Sequence, residues 1–350
     1  MKAAELLQKA SQAGASDIFI VAGLPVSYRV HGTLEYIGDR LMPADTELLI
    51  REIFYLASDR SIDHFLASGD DDFSFAIPGL SRYRVSTYKQ RGSLAAVIRI
   101  IAFELPDPTD LGIPESVLQL TAMTKGMILV TGPAGSGKST TLACLVDRIN
   151  STRQDHIITL EDPLEFLHRH KQSIVSQREI STDTDNYLTA LRAALRQSPD
   201  VILLGEMRDH ETIQTAMTAA ETGHLVLSSL HTIGAANTIN RIIDSFEPSQ
   251  QHQIAVQLSM ILRAVVSQQL IPSTDGTMLP AFEIMIMTPA ISNMIRDNKI
   301  HQIEGIIYTS AKDDMISMDN SLFNLYRRGI ITRDTALQYC TNLDMMKKKL

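Results

Sequence analysis

The sequence lacks tryptophan altogether, and aromatic residues make up only 5% of its 350 positions. Scarce aromatics leave few platforms on which the bases of single-stranded nucleic acid could stack. Two cysteines, Cys144 and Cys340, are too few for a disulfide framework or a four-cysteine zinc site. Cys144 falls inside a predicted helix, and we interpret it as a buried packing residue.

Basic residues are also in deficit. The chain has 32 Lys and Arg against 40 Asp and Glu, which gives a net charge of −8 with neutral histidines. Nucleic-acid-binding domains usually carry a basic face, so we expect no nucleic-acid partner. The one short basic run, Lys347–Lys349, is interpreted as a solvated chain end.

Long apolar runs are missing as well. The run Val201–Leu204 is far shorter than the roughly 18 apolar residues of a membrane-spanning helix. The first 17 residues are mixed and amphipathic, unlike the apolar centre of a signal peptide, so a cytoplasmic location is expected. A length of 350 exceeds the roughly 250–300 residues that one hydrophobic core serves, which predicts two domains.

Residues 1–104 are predicted to form a small mixed domain. Alternating and helical patterns predict helices Ala3–Ala13 and Ala44–Ser58, the second with Leu48 on its apolar face. The predicted strands are Asp17–Ala22, Val26–Val30, Phe73–Ile77, Arg82–Tyr88 and Leu94–Ile101. Three prolines within Phe103–Pro114 predict a linker, which we assign to residues 105–114.

Residues 115–350 are predicted to form a larger α/β domain, because short apolar runs alternate with helical patterns. Runs that are apolar throughout are typical of strands covered on both faces. They are Met127–Thr131, Ile157–Leu160, Val201–Leu204 and Leu225–Ser229. From about residue 248 the chain is predicted to be mainly helical, over Gln250–Leu270, Pro289–Asn298, Ile303–Ala311, Asn320–Arg328 and Thr332–Cys340.

A complete phosphate-binding motif, G-x4-G-K-[ST], occupies Gly132–Ser139 between an apolar strand and a predicted helix. Its glycines let successive backbone N–H groups face one anion, and the helix N-terminus points at the same place. Lys138 is expected to neutralise the β- and γ-phosphates, and the Ser139 hydroxyl to bind Mg²⁺. The alternative is an ordinary glycine-rich turn.

Acidic residues follow two of the apolar runs. Glu206 comes directly after Val201–Leu204, at the strand end where open α/β sheets bind ligands. It has the position of a Walker B acid. The alternative is a helix N-terminus, which Asp209 and Glu211 also favour.

Three carboxylates, Glu161, Asp162 and Glu165, follow the run Ile157–Leu160. They are candidates for contacting Mg²⁺ or for positioning the attacking water. Because Asp-Pro commonly starts a turn, a solvated turn is an equally good interpretation.

Two histidines, His224 and His231, bracket the run Leu225–Leu230. Their spacing does not match a metal-binding pair on a helix, so a zinc site is not expected. Either they are buried, hydrogen-bonded histidines, or one of them senses the γ-phosphate at the end of the strand.

Taken together, these motifs resemble the secretion-superfamily ATPases and, within them, the PilT-type retraction motors of type IV pili. The resemblance covers nearly the whole chain, from the opening GASDIFIVAGLPVSYRVHG to EIMIMTPAISNMIRD. It implies an N-terminal PAS-like domain followed by a RecA-like ATPase domain, a homo-hexameric ring, and ATP with Mg²⁺ as ligands. It further implies a position at the inner face of the cytoplasmic membrane, with an inner-membrane pilus platform protein and a paralogous retraction ATPase as partners.

The resemblance also assigns roles to residues. Glu206 is the Walker B acid, Glu165 or Glu161 activates water, and His231 or His224 reads the γ-phosphate. Arg82 and Arg84 are candidates to reach the nucleotide, or else belong to a solvated strand face. The phosphate-binding box comprises Gly132, Pro133, Ala134, Gly135, Ser136, Gly137, Lys138, Ser139 and Thr140.

Retraction is favoured over pilus assembly or type II secretion, since relatives with those functions typically carry a four-cysteine zinc module. The segment Ala290–Arg296 resembles the retraction signature, with Ser292 in place of its first basic residue and Met294 in place of a leucine. Whether the chain is of the PilT or the PilU type stays open. A DNA-transfer motor and a non-hydrolysing accessory ring subunit are the remaining alternatives.

Replacing the loop lysine should abolish the activity. We expect Lys138→Ala to lose ATP hydrolysis and most nucleotide affinity, because the loop's ammonium group is its point charge for the phosphates. ATP turnover and ADP titration measure both effects. Lys347→Ala, in the basic tail, is the control, and wild-type turnover in Lys138→Ala would contradict the motif.

Overall fold

The computed structural model describes residues 2–30, 32–101, 105–310 and 314–350. The chain divides into two compact units, Met1–Glu104 with Glu165–Leu167, and Leu105–Leu164 with His168–Leu350. The predicted domain boundary at residue 104 and the predicted helix end at Ala311 lie outside the described residues.

The first unit contains a six-stranded antiparallel sheet in the order β3-β2-β1-β6-β5-β4. Its strands are β1 Asp17–Ile20, β2 Val26–Val30, β3 Thr33–Ile37, β4 Asp70–Ile77, β5 Ser81–Gln90 and β6 Ser93–Ile101. Its helices are α1 Ala3–Gln12, α2 Pro43–Leu56 and α3 Asp63–Ser68. The sequence did not predict β3 or α3, and the prediction that Leu48 faces the core is wrong, since it is 60% exposed.

Alternation along β5 sorts its side chains onto two faces. Tyr83 and Val85 are buried in the core of this unit, beneath the helices. Arg82 and Arg84 therefore point to the opposite face, because successive strand residues alternate.

The second unit contains a seven-stranded sheet in the order β13-β12-β7-β11-β10-β8-β9. Its strands are β7 Gly126–Thr131, β8 His156–Glu161, β9 Ile174–Glu179, β10 Val201–Leu204, β11 Leu225–Leu230, β12 Leu262–Pro272 and β13 Met278–Ile286. All neighbours are parallel except β12 and β13, which form an antiparallel pair.

Helices cover both faces of this sheet. They are α4 Glu115–Leu118, α5 Lys138–Thr152, α6 Tyr187–Ala194, α7 His210–Glu221, α8 Ala235–Ile243, α9 Pro248–Ile261, α10 Pro289–Arg296, α11 Ile303–Thr309, α12 Met318–Arg327, α13 Arg333–Tyr339 and α14 Leu343–Lys349. Along β7, Met127 and Leu129 belong to one core cluster, and Ile128 and Val130 to the other. This double burial is why the strands are apolar at every position. Within the described residues, no helix is both long and apolar enough to span a membrane.

One predicted helix is wrong. Residues Gln250–Leu270 were expected to be helical throughout, but α9 ends at Ile261 and Leu262–Pro272 is strand β12. Beyond residue 261 the chain pairs in parallel with β7, and its Val265 and Val266 are fully buried. A short apolar run fits a buried strand as well as a helix, so pairing with other strands decides which of the two forms.

The basic tail is only partly a solvated end. Lys347 and Lys348 are exposed. The Lys349 ammonium instead lies 4.5 Å from the ring centre of Tyr308 and donates a 2.7 Å hydrogen bond to Asn320. The interpretation of Lys349 as solvated is therefore wrong, because a cation over an aromatic face is attracted to it.

Candidate functional site

The parallel register of the second sheet brings four strand ends to one edge. Leu230, the last residue of β11, pairs with Thr131, the last residue of β7. Leu204, at the end of β10, pairs with Ser228 on one side and with Leu160 on the other. The segments that follow these strands carry the phosphate-binding loop, the two acidic motifs and His231. They therefore meet along one edge, although they are far apart in sequence.

The phosphate-binding loop leaves β7 at Gly132, where the backbone is tightly enclosed. A Cβ at this position would lie 2.1 Å from the backbone carbonyl oxygen of Gln268 and 2.7 Å from the Ser136 hydroxyl. Its φ of +143° is also one that side chains rarely allow. Only glycine fits here. The loop ends at Gly137, which caps the fifteen-residue helix α5 with a φ of +85°.

The loop encloses polar groups suited to an anion. The Lys138 ammonium is buried and donates to the carbonyl oxygens of Gly132 and Pro133 at 3.0 and 2.9 Å. The Ser136 hydroxyl is buried and has no hydrogen-bond partner among the described residues. Buried polar groups are normally paired, so this unsatisfied hydroxyl at the start of α5 fits a loop built to hold phosphate.

A chain of close contacts links the loop to the acidic strand end. Lys138 Nζ lies 3.5 Å from His231 Nδ1. His231 Nε2 lies 3.4 Å from one carboxylate oxygen of Glu206, and Arg208 lies 2.6 Å from the other. The structure therefore brings together the lysine, the histidine and the acid that the sequence singled out. The ion pair with Glu206 also raises the pKa of Arg208.

Tyr187, at the start of α6, is a residue that the sequence did not single out. Its hydroxyl lies 2.8 Å from where a Cβ on Gly205 would be, next to Glu206 in the chain. Burial raises the pKa of the Tyr187 phenol, and the negative charges of Glu206, Asp162 and Glu161 raise it further. The phenol therefore stays neutral at physiological pH and can donate a hydrogen bond among these carboxylates.

The two remaining acidic candidates, Glu161 and Glu165, lie in different parts of the structure. Glu161 ends β8 beside β10, and the Gln177 amide lies 3.4 Å from its carboxylate. Glu165 is exposed and groups with the first unit. That one of these two carboxylates activates water stays a prediction.

His224 is not brought to this edge. It precedes β11, and its Nδ1 lies 2.9 Å from the carbonyl oxygen of Ala219. The six residues of β11 separate it from His231, roughly 20 Å of strand at about 3.3 Å per residue. Of these two histidines, His231 is the one that contacts Lys138 and Glu206, so the geometry favours it over His224.

Arg82 and Arg84 lie in the first unit. The Arg82 guanidinium is 3.5 Å from the Ser74 hydroxyl. Arg84 pairs across the sheet with Arg99, and both line a polar cavity of about 250 Å³ with Asp17 and other residues. These arginines are not simply solvated, and their role toward nucleotide stays a prediction.

Cys144 packs inside α5 and is almost completely buried. Burial raises the pKa of its thiol to about 12. A thiol that stays protonated is a poor nucleophile, which agrees with a packing role.

A cavity of about 550 Å³ adjoins the loop on the side of β12. Gly137, Thr140 and Thr141 of the loop and α5 line one wall. The other walls are mainly apolar and include Leu111, Ile113, Leu270, Leu279, Pro280, Leu325 and Ile330. A largely apolar cavity of this volume can bury a flat organic group next to a bound phosphate.

The donors at the edge fit Mg²⁺. Within the described residues there is no cluster of three or more His, Cys, Asp or Glu that could hold a metal by itself. Mg²⁺ is commonly held by one or two protein oxygens together with water and substrate phosphates. The exposed Ser139 hydroxyl and the half-buried Glu206 carboxylate can supply such oxygens.

Comparison with known proteins decides the family. A model of the Type II/IV secretion system protein family matches residues 2–278. The chain belongs to this family. One relative is the type IV pilus retraction ATPase PilT of Pseudomonas aeruginosa, which is 43% identical over 96% of this chain and 97% of the relative.

Two further comparisons refine the placement within the secretion-system family. The type IV pilus ATPase PilU of the same organism is 34% identical over 99% of this chain and 91% of its own. A crystal structure of the pilus retraction motor PilT with bound ADP superposes with a TM-score of 0.91, at 43% identity and 99% coverage of both chains. The resemblance to PilT-type retraction ATPases is confirmed, as is the α/β fold with an N-terminal domain and a RecA-like ATPase domain. The PAS-like character of the N-terminal domain stays a prediction.

Neutralising Glu206, the predicted Walker B acid, should lower ATP hydrolysis far more than nucleotide binding. We expect Glu206→Gln to bind Mg-ATP within a few-fold of wild type but to lower kcat by roughly a hundredfold or more, since the lost charge acts mainly in the transition state. Nucleotide titration and steady-state turnover measure the two effects. Glu211→Gln, at an exposed position five residues later, should behave as wild type, and normal turnover in Glu206→Gln would make this carboxylate structural.

Proposed function

We propose that this chain is a Mg²⁺-dependent ATPase that converts ATP hydrolysis into retraction of a type IV pilus. The observation that carries the proposal is the line of contacts from Lys138 through His231 to Glu206 at the mouth of the phosphate-binding loop. These contacts support a site in which a cation, a γ-phosphate sensor and an acid act on one triphosphate.

Each group has a distinct task in this proposal. The loop N–H groups, the N-terminus of α5 and Lys138 bind the β- and γ-phosphates. Ser139 and Glu206 hold Mg²⁺, which when bound neutralises phosphate charge. His231 contacts the γ-phosphate and, through Glu206, reports its loss after hydrolysis.

In this proposal an acid at the end of β8 or just after it activates the attacking water. Glu161 lies at the sheet edge beside the Walker B strand, and Glu165 is the exposed alternative. Tyr187 adds a neutral phenol beside Gly205, close enough to these carboxylates for their charges to raise its pKa. The nucleoside occupies the 550 Å³ cavity beside Gly137 and Thr140.

Helix α10 supports retraction as the output. It corresponds to the signature segment and buries Ile291 and Ile295 against the core. Ser292 donates a 2.9 Å hydrogen bond to the Ser259 carbonyl oxygen of α9, which accounts for an uncharged residue there. Asn293 and Arg296 are exposed and free to contact a partner.

The proposed assembly follows the same comparison. The chain acts as a homo-hexameric ring at the cytoplasmic face of the inner membrane, against a pilus platform protein and beside a paralogous retraction ATPase. Its higher identity to PilT than to PilU, 43% against 34%, favours the PilT type.

Catalysis between subunits makes activity depend on concentration. If Arg82 or Arg84 reaches the γ-phosphate bound by a neighbouring subunit, ATP turnover per chain should fall when the protein is diluted to monomer. The double variant Arg82→Ala with Arg84→Ala should lower kcat by roughly 10³-fold or more, with little change in ADP affinity. Sedimentation and ATP turnover over the same dilution series test this. Arg51→Ala, an exposed arginine of the same unit, is the control, and flat specific activity would contradict the proposal.

Retraction is tested in a piliated host. Deleting the gene should leave pili present or in excess and abolish surface motility, and complementation with Arg296→Ala should restore ATP turnover but not motility. Complementation with Lys299→Ala, an exposed lysine just beyond α10, is the matched control and should restore both. A deletion strain without pili would identify an assembly motor instead.

A further inference from the structure

Strand β12 lies directly beside the strand that enters the phosphate-binding loop. Ser267 of β12 pairs with Thr131, the last residue of β7, so Gln268 follows alongside Gly132. The backbone carbonyl oxygen of Gln268 would be 2.1 Å from a Cβ on Gly132. The first turn of the loop is therefore packed against the backbone of Gln268.

The side chain of Gln268 contacts the other end of the same loop. Its Oε1 accepts a 2.7 Å hydrogen bond from the Thr141 hydroxyl, in the first turn of α5. Its Nε2 would be 2.9 Å from a Cβ on Gly137, the residue that caps α5. Gln268 is only 3% exposed, so this contact is made away from bulk water.

We propose that Gln268 is a positioning residue that spans the phosphate-binding loop from Gly132 to Thr141 and holds it in its nucleotide-binding shape. This inference rests on the proposed function of the loop. The backbone of Gln268 fixes where the loop begins, and its amide group fixes where α5 begins. The backbone N–H groups between these two points are then aligned toward the phosphates before nucleotide arrives.

The position of the amide also connects the phosphates to the nucleoside. Gln268 lines the 550 Å³ cavity together with Gly137 and Thr141. A nucleotide whose phosphates lie in the loop and whose base lies in the cavity would therefore lie close to Gln268. Fixing this side chain fixes the angle at which both parts can be bound together.

The test removes the polar contact and keeps the packing. Gln268→Met has a similar length without an amide, and Thr141→Val removes the hydroxyl that donates to it. We expect each to weaken ADP binding by about tenfold, since a misaligned loop loses interactions equivalent to one hydrogen bond. Gln269→Met is the matched control, because Gln269 is the next residue on the strand and its amide lies 3.5 Å from the Tyr339 carbonyl oxygen.

The double variant distinguishes positioning from simple stability. If the two residues act as one unit, Gln268→Met with Thr141→Val should bind ADP no more weakly than the poorer single variant, a non-additive result. Kd is measured by titration on protein shown to be folded by its thermal melting. A merely structural role would lower the melting temperature but leave Kd unchanged, which would overturn the proposal.

The same ADP-binding measurements distinguish a failure of the Gln268 proposal from a failure of the proposed function. Wild-type protein that fails to bind ADP would reject the function of the loop. If wild type binds ADP, Lys138→Ala does not, and Gln268→Met binds it as well as wild type does, the proposed function stands and the role of Gln268 is rejected. Glutamate provides a last check, because Gln268→Glu keeps an acceptor for Thr141 but places a negative charge beside the phosphates and should bind ADP more weakly than Gln268→Met.

Discussion

The parallel register of β7, β11, β10 and β8 is the constraint on which the site depends. Hydrogen bonding between parallel strands sets their ends level, so whatever follows each strand is delivered to the same edge. Lys138, Glu206 and His231 are separated by up to 93 positions in sequence yet lie in one line of contacts. A shift of one residue in this register would displace the acid from the loop and turn buried side chains toward the wrong face.

Much of this edge could be predicted because its signals are local. The loop carries its own motif, and the apolar run Val201–Leu204 ends where an acid follows, so Glu206 was found without knowledge of any partner strand. His231 was singled out for the same reason, as a polar residue after a buried run. The sequence could not choose between His231 and His224, since that choice depends on which end of β11 faces the loop.

The parts that sequence missed depend on pairing between distant segments. Residues 262–272 carry an apolar pattern that a helix would also satisfy, and pairing with β7 and β13 makes them a strand. Gln268 lay inside that wrongly predicted helix, so its place beside Gly132 could not be inferred. The site position of Tyr187 was missed for another reason. Nothing in the sequence around an aromatic residue at the start of a helix marks it as a site residue, and the carboxylates around Tyr187 lie at or just after the ends of β8 and β10.

The hairpin of β12 and β13 anchors both sides of the site. Through Gln268 it holds the phosphate-binding loop. On the other side, the Ser267 hydroxyl accepts a hydrogen bond from the Gly234 N–H, and Glu283 accepts one from Ala235 at the start of α8, a few residues after His231. Glu283 also accepts the Met318 N–H at the start of α12. One antiparallel pair therefore contacts the loop, the segment after His231 and a C-terminal helix, so these three parts of the second unit are joined through β12 and β13.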